Sequence, residues 1–418
     1  MSHVFVLDTD RKPLDPLHPG RARILLHTGQ AVVFKRLPFT IILNRVADRE
    51  PQPLRCKIDP GSRTTGLAVV NDTTGQVVFA AEVQHRGLLI HQRLADRRAV
   101  RRNRRSRQLR HRAPRFHNRR RQEGWLPPSL ASRAANVLTW INRLHKVAPI
   151  TAISLEVVKF DTQRMQNAEI RGVEYQQGAL AGYEVREYLL EKWGRRCAYC
   201  GQQNRPLEIE HIIPKSRGGT DRVSNLTLAC HECNQSKGSD TAAEFGHPEI
   251  QQRAQQPLRD AAAMNVTRGV LYRRLRATGW PVETGSGGLT KFNRVQRGLP
   301  KAHWLDAVCV GVSTPAVVQT RGVRVLGITA LGHGNRQMCR TDKYGFPRLH
   351  RTRCNVHFGF RTGDLVRATV PTGKHQGTHS GRVAVRASGR FRVGTVDGIA
   401  YRYLQRLWRA DGYAYQYL

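Results

Sequence analysis

Two Cys-x-x-Cys pairs, Cys197/Cys200 and Cys230/Cys233, bracket a segment holding Glu210, His211 and Asn225, and Asn234 directly follows the last cysteine. Four thiolates at this spacing suit a closed tetrahedral zinc site, because a d¹⁰ ion with four sulfur ligands keeps no open position for chemistry. Zinc there is scaffold, and the chemistry belongs to what it holds in place. An oxygen-rich Glu-His pair plus Asn suits a hard ion such as Mg²⁺ and leaves His211 to activate water. Disulfides, or a plain zinc ribbon without catalysis, are the competing readings of these residues.

Glu210-His211, Asn225 in SNL and Asn234 in CNQSKG together resemble the HNH nuclease motif in its four-cysteine zinc version. The resemblance implies a ββα-metal finger in which His211 polarises the attacking water, Glu210 and Asn234 hold one divalent ion, and Asn225 orients the histidine. Many HNH motifs carry Asp ahead of the histidine where this chain has Glu210. Glu208, two residues earlier, is the alternative ligand.

A second set of acids stands where apolar elements end. Asp59 closes the run LRCKID, just before the turn PGSRTTG. Glu156 interrupts the buried strand TAISLEVV, and His303 and Asp306 lie three apart at the start of a helix before an apolar stretch. A carboxylate at such a place is costly to keep ionised unless a cation or hydrogen-bond donors meet it. Taken singly, each has an ordinary reading: a turn-capping Asp, a structural ion pair, a polar helix start. Taken together, they could hold two divalent ions roughly 4 Å apart for in-line attack on a phosphodiester.

The elements that must position these groups follow from pattern. Residues 1–52 read as a small α/β unit, with Ala22, Leu25 and Leu26 at helical spacing and strands at Ala31–Phe34 and Phe39–Leu43. LAVV and QVVFAAEV, joined by NDTTG, make an antiparallel hairpin. Leu130 to Val147 reads as an amphipathic helix with Ala134, Val137, Leu138, Ile141 and Leu144 on one face, and Tyr175 to Trp193 as a helix leading into the cysteines. A further helix is expected over Ala261 to Arg276, and a strand over Val323 to Thr329. From about Leu331 onward, short Gly-bounded segments with Arg alternating with Val form a small basic β-domain. Cys56, Cys309, Cys339 and Cys354 lack ligand spacing and read as ordinary thiols.

Charge names the partner. Lys and Arg number 69 against 31 acids in 418 residues, a formal net charge of +38, and such an excess calls for a polyanion. The densest stretch, Arg93 to Arg121, is about half arginine, and Leu94, Ala95, Ala99 and Val100 are too little apolar surface for a core face. A disordered basic tail is one reading. The other is a long helix on a phosphate backbone, where Arg97, Arg98, Arg101, Arg102, Arg104, Arg105, Arg107 and Arg110 bind phosphate through their guanidinium forks. No leader pattern and no eighteen-residue apolar run occurs, so a soluble, intracellular, nucleic-acid-associated protein is expected rather than a membrane protein.

The order DPGxxxxG, ISLE, HxxDA, with the arginine run after the first part and the cysteine finger after the second, resembles the IscB family of transposon-encoded RNA-guided nucleases. The fold this implies is α/β: an RNase H-like (RuvC) mixed sheet split in three, an inserted ββα-metal HNH zinc domain, an arginine-rich bridge helix and a small C-terminal β-domain. The expected segments are 1–52 (similar to a domain named for Pro-Leu-Met-Pro, with Asp15 in place of Met), 53–85 (RuvC-I), 86–125 (bridge helix), 126–192 (RuvC-II), 193–246 (HNH), 247–330 (RuvC-III) and 331–418 (RNA- and target-adjacent-motif-interacting domain). By the same resemblance Asp59, Glu156, Asp306 and His303 form a second centre. Mg²⁺ or Mn²⁺ is expected at both centres and Zn²⁺ at the cysteines. The expected partners are a structured guide RNA and a double-stranded DNA target, with one protein copy in a ribonucleoprotein in a prokaryotic cytoplasm. The His211 centre would cut the guide-paired strand and the Asp59 centre the displaced strand. A protein-guided HNH endonuclease and a non-catalytic RNA-binding transposition accessory protein are the alternatives.

Overall fold

The N-terminal strands β1 (Val4–Leu7), β2 (Pro13–Leu17), β3 (Ala31–Arg36) and β4 (Phe39–Leu43) form a sheet of order β2-β1-β4-β3, with helix α1 (Pro19–His27) between β2 and β3. Two prolines lie in β2, and β2 is an edge strand, where a missing N–H costs no ladder hydrogen bond. Val4, Val6, Ala22, Ala31, Ile41 and Leu43 make its core, so the α/β unit read from the sequence is present. The structure is a computed structural model, describing residues 3–47, 50–107, 124–157, 186, 189–190, 192–203, 205–256, 261–333, 338–344, 346–350 and 354–418. The arginine run beyond Arg107, including Arg110, and most of the expected Tyr175–Trp193 helix lie outside the described residues.

Contacts divide the chain into two units, Met1–Ala80 with Val137–Arg324 and Ala81–Asn136 with Val325–Leu418. The division differs from the seven expected segments: it passes through strand β7 (Val77–Gln84) and through helix α3 (Pro128–His145). In the first unit, β5 (Leu54–Asp59) pairs antiparallel with β6 (Thr64–Val70) and parallel with β8 (Ile150–Glu156), which pairs parallel with β11 (Val282–Gly285). The start of β7 lies beside β6. Strands from three separate stretches thus build one mixed sheet. Both faces of β6 are buried almost throughout, which is why it reads as a continuous apolar run rather than an alternating one. On α3, Val137, Ile141 and Leu144 are buried as the spacing predicts, Leu138 is partly covered, and Trp140 joins them.

Between β8 and β11 the chain builds β9 (Leu207–His211), β10 (Leu226–Cys230) and the helices α4 (His231–Lys237), α5 (Pro248–Gln255) and α6 (Ala261–Arg276). After β11 come α7 (Gly287–Gln296) and α8 (His303–Val308), with α8 against β5 and β6.

In the second unit the end of β7 pairs parallel with β12 (Leu326–Ala330), and β12 pairs antiparallel with β22 (Tyr413–Tyr417). Helix α2 (Gly87–Ser106) carries the first part of the arginine run; of its residues only Gly87 is buried, so it has no core face, as its composition requires. The C-terminal strands are β13 (Cys339–Thr341) with β14 (Pro347–His350), β15 (Val356–His357) with β16 (Phe360–Arg361), and a five-stranded sheet. The last comprises β17 (Leu365–Val370), β18 (Gly377–Ala384), β19 (Arg390–Val393), β20 (Val396–Ala400) and β21 (Leu404–Trp408), in the order β20-β19-β18-β17-β21. Its core is Val366, Ala368, Val370, Val383, Phe391, Val393 and Ile399, the alternating apolar positions. Among the described residues, no helix is long and apolar enough to cross a membrane.

Candidate metal centres

The four cysteines meet. The sulfurs of Cys197, Cys200, Cys230 and Cys233 all lie within 4.8 Å of one another, and Cys200 Sγ is 3.8 Å from Cys230 Sγ. A tetrahedron with Zn–S bonds of ~2.3 Å has S···S edges of ~3.8 Å, so the site fits zinc. A disulfide needs sulfurs ~2.05 Å apart, and all four thiols are free. Burial works to raise the Cys197 thiol, but backbone N–H groups of Cys200, Cys230 and Tyr199 outweigh it and lower its pKa to about 7. A thiolate is the form a metal binds.

The staple holds a ββα finger: β9 and β10 pair antiparallel from His211↔Leu226 to Cys230↔Leu207, and α4 follows at once. The side-chain hydrogen bonds of Asn225 go to backbone and not to the His211 ring. Asn225 fastens the loop after His211, accepting from Ile213 N (2.9 Å) and donating to the carbonyls of Ile213 (2.9 Å) and Thr220 (3.0 Å). Gly219 lets that loop close, since a Cβ there would sit 1.7 Å from Ile213 O. The fastened loop carries Asp221, whose Oδ1 lies 2.8 Å from His211 Nε2, while Lys215 Nζ lies 2.9 Å from Oδ2. Hydrogen bonds from His211 and Lys215 lower the Asp221 pKa. Asp221 was not singled out in the sequence; its only signal was an acid just after a glycine pair in the loop that returns to the finger.

The two acids of β9 have different surroundings. Glu210 is buried, with Oε1 2.6 Å from the fully buried Lys237 ammonium and Oε2 accepting from Tyr199 Oη at 2.6 Å. Glu208 is half-buried, accepting from Asn234 Nδ2 at 2.6 Å and lying 3.0 Å from His231 Nδ1. Those hydrogen bonds, Asn234 first, lower its pKa. Asn234 therefore meets Glu208 and is not hydrogen-bonded to Glu210. On chemistry, the carboxylate and amide of Glu208 and Asn234 fit a hard ion, whereas both oxygens of Glu210 are already taken.

The sheet brings its acids to one end. Ile58 and Leu155 are register partners, so Asp59 and Glu156 end adjacent strands. Asp306 comes in on α8, whose start lies so close to β6 that a Cβ at Gly66 would sit 1.9 Å from His303 O. The second glycine of DPGxxxxG is thus a contact with the helix that carries Asp306. His303 Nδ1 is 3.8 Å from Asp59 Oδ2. Burial, then the neighbouring Asp59 carboxylate, raises Glu156 to about 8, and the same two causes raise Asp306. Guanidiniums stand at the rim: Arg268 Nη2 lies 3.1 Å from Glu156 Oε1, and Arg294 Nε 2.8 Å from Asp306 Oδ1. A carboxylate that opposes the ionisation of two neighbouring carboxyls, as Asp59 does, makes a place that suits divalent cations. The three acids are not drawn to metal spacing, however. Among the described residues, the cysteines are the one group of three or more His, Cys, Asp or Glu whose ligand atoms lie within 4.8 Å.

Below these acids lies a polar layer that the sequence reading missed. Lys57, two residues before Asp59 and on the same face, donates to Val310 O (2.9 Å), Ser313 Oγ (3.0 Å) and Thr314 Oγ1 (3.3 Å). Burial lowers its pKa to about 8. Glu283 accepts from Ser154 Oγ (2.5 Å) and from Ser313 N (2.9 Å) and Oγ (2.5 Å). A lysine inside the apolar run LRCKID was the available signal.

Of the arginines, Arg97, Arg98, Arg101, Arg102, Arg104 and Arg105 are exposed on α2, and Arg107 is exposed just after it. Arg104 and Arg107 reach Thr341 Oγ1 (3.4 Å) and Lys343 O (2.6 Å).

Comparison with known proteins divides along the same lines. Residues 197–248, the finger, match the HNH endonuclease family profile. Residues 4–178, less than half the chain, match the family described as RRXRR protein; residues 101–105 read Arg-Arg-Asn-Arg-Arg. The CRISPR-associated endonuclease Cas9 of Corynebacterium diphtheriae is 44% identical over 50 residues, which are 10% of this chain and 4% of that protein. Streptococcus thermophilus Cas9 in complex with the GGAA PAM aligns with a TM-score of 0.27 and 13% identity, covering 63% of this chain and 32% of that one. The Type II-C Cas9 of Actinomyces naeslundii aligns with a TM-score of 0.17 and 19% identity, covering 43% and 26%. The chain spans about a third or less of each relative.

Proposed function

We propose that this protein is an RNA-guided DNA endonuclease of the IscB type, in which the finger cuts the guide-paired strand and the sheet centre cuts the displaced strand. The observation that carries the reading is an insertion. The HNH domain lies in the chain between β8, which ends in Glu156, and α8, which bears Asp306. Further support is the strand order β11-β8-β5-β6-β7, with β5, β8 and β11 parallel and β6 antiparallel to β5, the order of an RNase H-like (RuvC) sheet.

In the finger, His211 is the proton acceptor for water, held in its tautomer by Asp221, and Glu208 with Asn234 holds the divalent ion, Glu210 serving as the buried partner of Lys237. In the sheet, Asp59, Glu156 and Asp306 are the ion ligands, and His303 holds or releases a proton beside Asp59. When bound, the divalent ions supply Lewis acidity toward the phosphodiester and the attacking water. The arginines of α2 take phosphates, and base pairing with a guide RNA chooses the target.

His211→Ala and Glu156→Ala should each leave a nicking enzyme, losing at least about a hundredfold on one strand and opposite strands from each other. A single change that abolished both cuts would sink the two-centre assignment. One observation favours a second reading, in which the sheet is scaffold for a protein-guided HNH endonuclease: the carboxylates of Glu156 and Asp306 are met by arginines. Purifying the protein with its native flanking DNA and sequencing any retained RNA separates the two, since a protein-guided enzyme retains no discrete RNA. Retained RNA without Mg²⁺-dependent cleavage would instead mark a binding protein.

A further inference from the structure

The β13–β14 hairpin is a two-stranded sheet paired Cys339↔His350, Arg340↔Leu349 and Thr341↔Pro347. Every described residue of β14 is exposed, and β13 has no buried one. A hairpin with so little core is marginal by itself. Here polar ties fix it. Asp342 Oδ1 accepts from the amides of Tyr344 and Phe346, both at 2.9 Å, and Asp342 N donates to Phe346 O at 2.9 Å. The guanidiniums of Arg104 and Arg107 anchor the strand end and the turn through Thr341 Oγ1 and Lys343 O.

This fastening presents aromatic surface instead of covering it. Tyr344 is 49% exposed and Phe346 42%, and the Lys343 ammonium sits 4.9 Å from the Tyr344 ring centroid. Arg340 and Arg348 flank the turn, and its one acid, Asp342, caps the turn's own amides. An exposed ring with an ammonium against it and arginines nearby in the hairpin is matched by a base with its phosphate, because every base offers a π-face and guanidinium or ammonium takes the backbone. A protein partner would have to bury the Lys343 ammonium, and lysine is depleted at protein interfaces. Bases inside a duplex already stack on each other; RNA loops and bulges are where single bases stand free.

We infer that the tip of this hairpin, with Tyr344 as its centre, stacks an unpaired base of the bound RNA, while Arg107 and Lys343 hold the adjoining phosphates. The inference rests on the RNA-guided reading above and assigns one contact within it. The arginine helix thereby has a second task, bracing the turn that reads RNA shape.

The experiment uses the full chain and the RNA that co-purifies with it, measuring affinity by filter binding over a salt series. Tyr344→Ala should weaken binding about tenfold with the salt slope unchanged. Tyr344→Trp should restore affinity, and Tyr344→Leu, which keeps bulk without a ring, should not. Arg107→Ala should lower the salt slope by about 0.7. Equal affinity of Tyr344→Ala and the parent chain, or rescue by Leu as good as by Trp, overturns the stacking contact while leaving the RNA-guided reading in place. A parent chain that retains no discrete RNA overturns both.

Discussion

In the finger, the inward acid Glu210 is matched by a lysine ammonium from the helix packed on it. In the sheet, three acids converge on one strand end with guanidiniums at the rim, and burial and then the Asp59 carboxylate raise the pKa of Glu156 and Asp306. The finger is a small body with a four-cysteine cluster that fits a metal: Leu189, Trp193, Tyr199, Leu207, Leu228 and Ile250 belong to its modest core. The sheet needs no staple, because β5, β6 and β8 are buried on both faces and Lys57 and Glu283 are satisfied beneath the acids. In the finger one buried acid is matched by one fully buried lysine; in the sheet Glu156 and Asp306 each meet one arginine while Asp59 still opposes their ionisation.

The largest effect expected from this contrast is at the cysteines. Structural zinc in small fingers contributes roughly 10–16 kcal/mol of folding free energy, as much as the whole stability of a typical domain, about 5–15 kcal/mol. Chelation, or Cys230→Ser, should therefore unfold residues 197–248 and abolish the guide-paired cut. The displaced-strand centre should keep its fold. Limited proteolysis with and without chelator reads this directly, and protection of the finger in a zinc-free, chelated sample would break the comparison.

Next comes the buried ion pair. Removing one partner of such a pair costs about 3–5 kcal/mol, because the other charge is left uncompensated. Lys237→Ala should thus destabilise the finger by about that much, seen as a lower melting transition. Replacing both partners, Glu210→Gln with Lys237→Met, should restore most of the loss. If the doubly substituted finger folds and still cuts, Glu208 with Asn234 is the ion-binding pair; a folded finger that has lost its cut returns that role to Glu210. Glu208→Ala should give the opposite pattern, near-parental stability and no guide-paired cut.

A smaller and more local effect is expected in the sheet. Gly66→Ala places a methyl 1.9 Å from His303 O, so α8 must back away from β6, at a cost of about 1–3 kcal/mol by the usual scale of overpacking. Asp306 moves with it, and the displaced-strand cut should fall while the finger's cut is unaffected. Equal loss at both strands would show that α8 is not what positions the second centre. Gly66 also marks how much the sequence could say. The Cys-x-x-Cys pairs were legible because ligand spacing is local, and the strand-end acids because a charge closing an apolar run has few cheap explanations. The reason for Gly66 is tertiary: a helix more than two hundred residues on. The same holds for Lys57, whose carbonyl acceptor is 253 residues away, and for Lys237, 26 residues beyond the strand it neutralises. Periodicity placed these residues on elements, but only packing chose their partners. The choice between Glu208 and Glu210 was open for that reason, since residues two apart on a strand share a face and only the opposing helix tells them apart.

The finest test is pH. Glu156 stands at about 8 in the folded protein against 4.5 ordinarily, through burial and the Asp59 carboxylate. A folded pKa above the unfolded one means that, without metal, this group contributes stability below pH 4.5 and loses it as pH rises through about 8. A bound dication reverses the balance by taking the proton's place. The melting shift produced by Mg²⁺ should therefore grow between pH 6 and 8.5, and Glu156→Gln should flatten that growth. For cleavage, the displaced-strand cut should need about tenfold more Mg²⁺ for each pH unit below 8, the cost of expelling one proton per ion bound. In the finger the pKa shifts run the other way: hydrogen bonds lower both Glu208 and Asp221, so no proton competes at neutral pH and the guide-paired cut should keep a nearly constant Mg²⁺ demand over the same range. Parallel Mg²⁺ curves for the two strands at pH 6.5 and 8.5 would mean that the carboxylates of the sheet are neutralised by Arg268 and Arg294 alone, which is what a purely structural sheet requires.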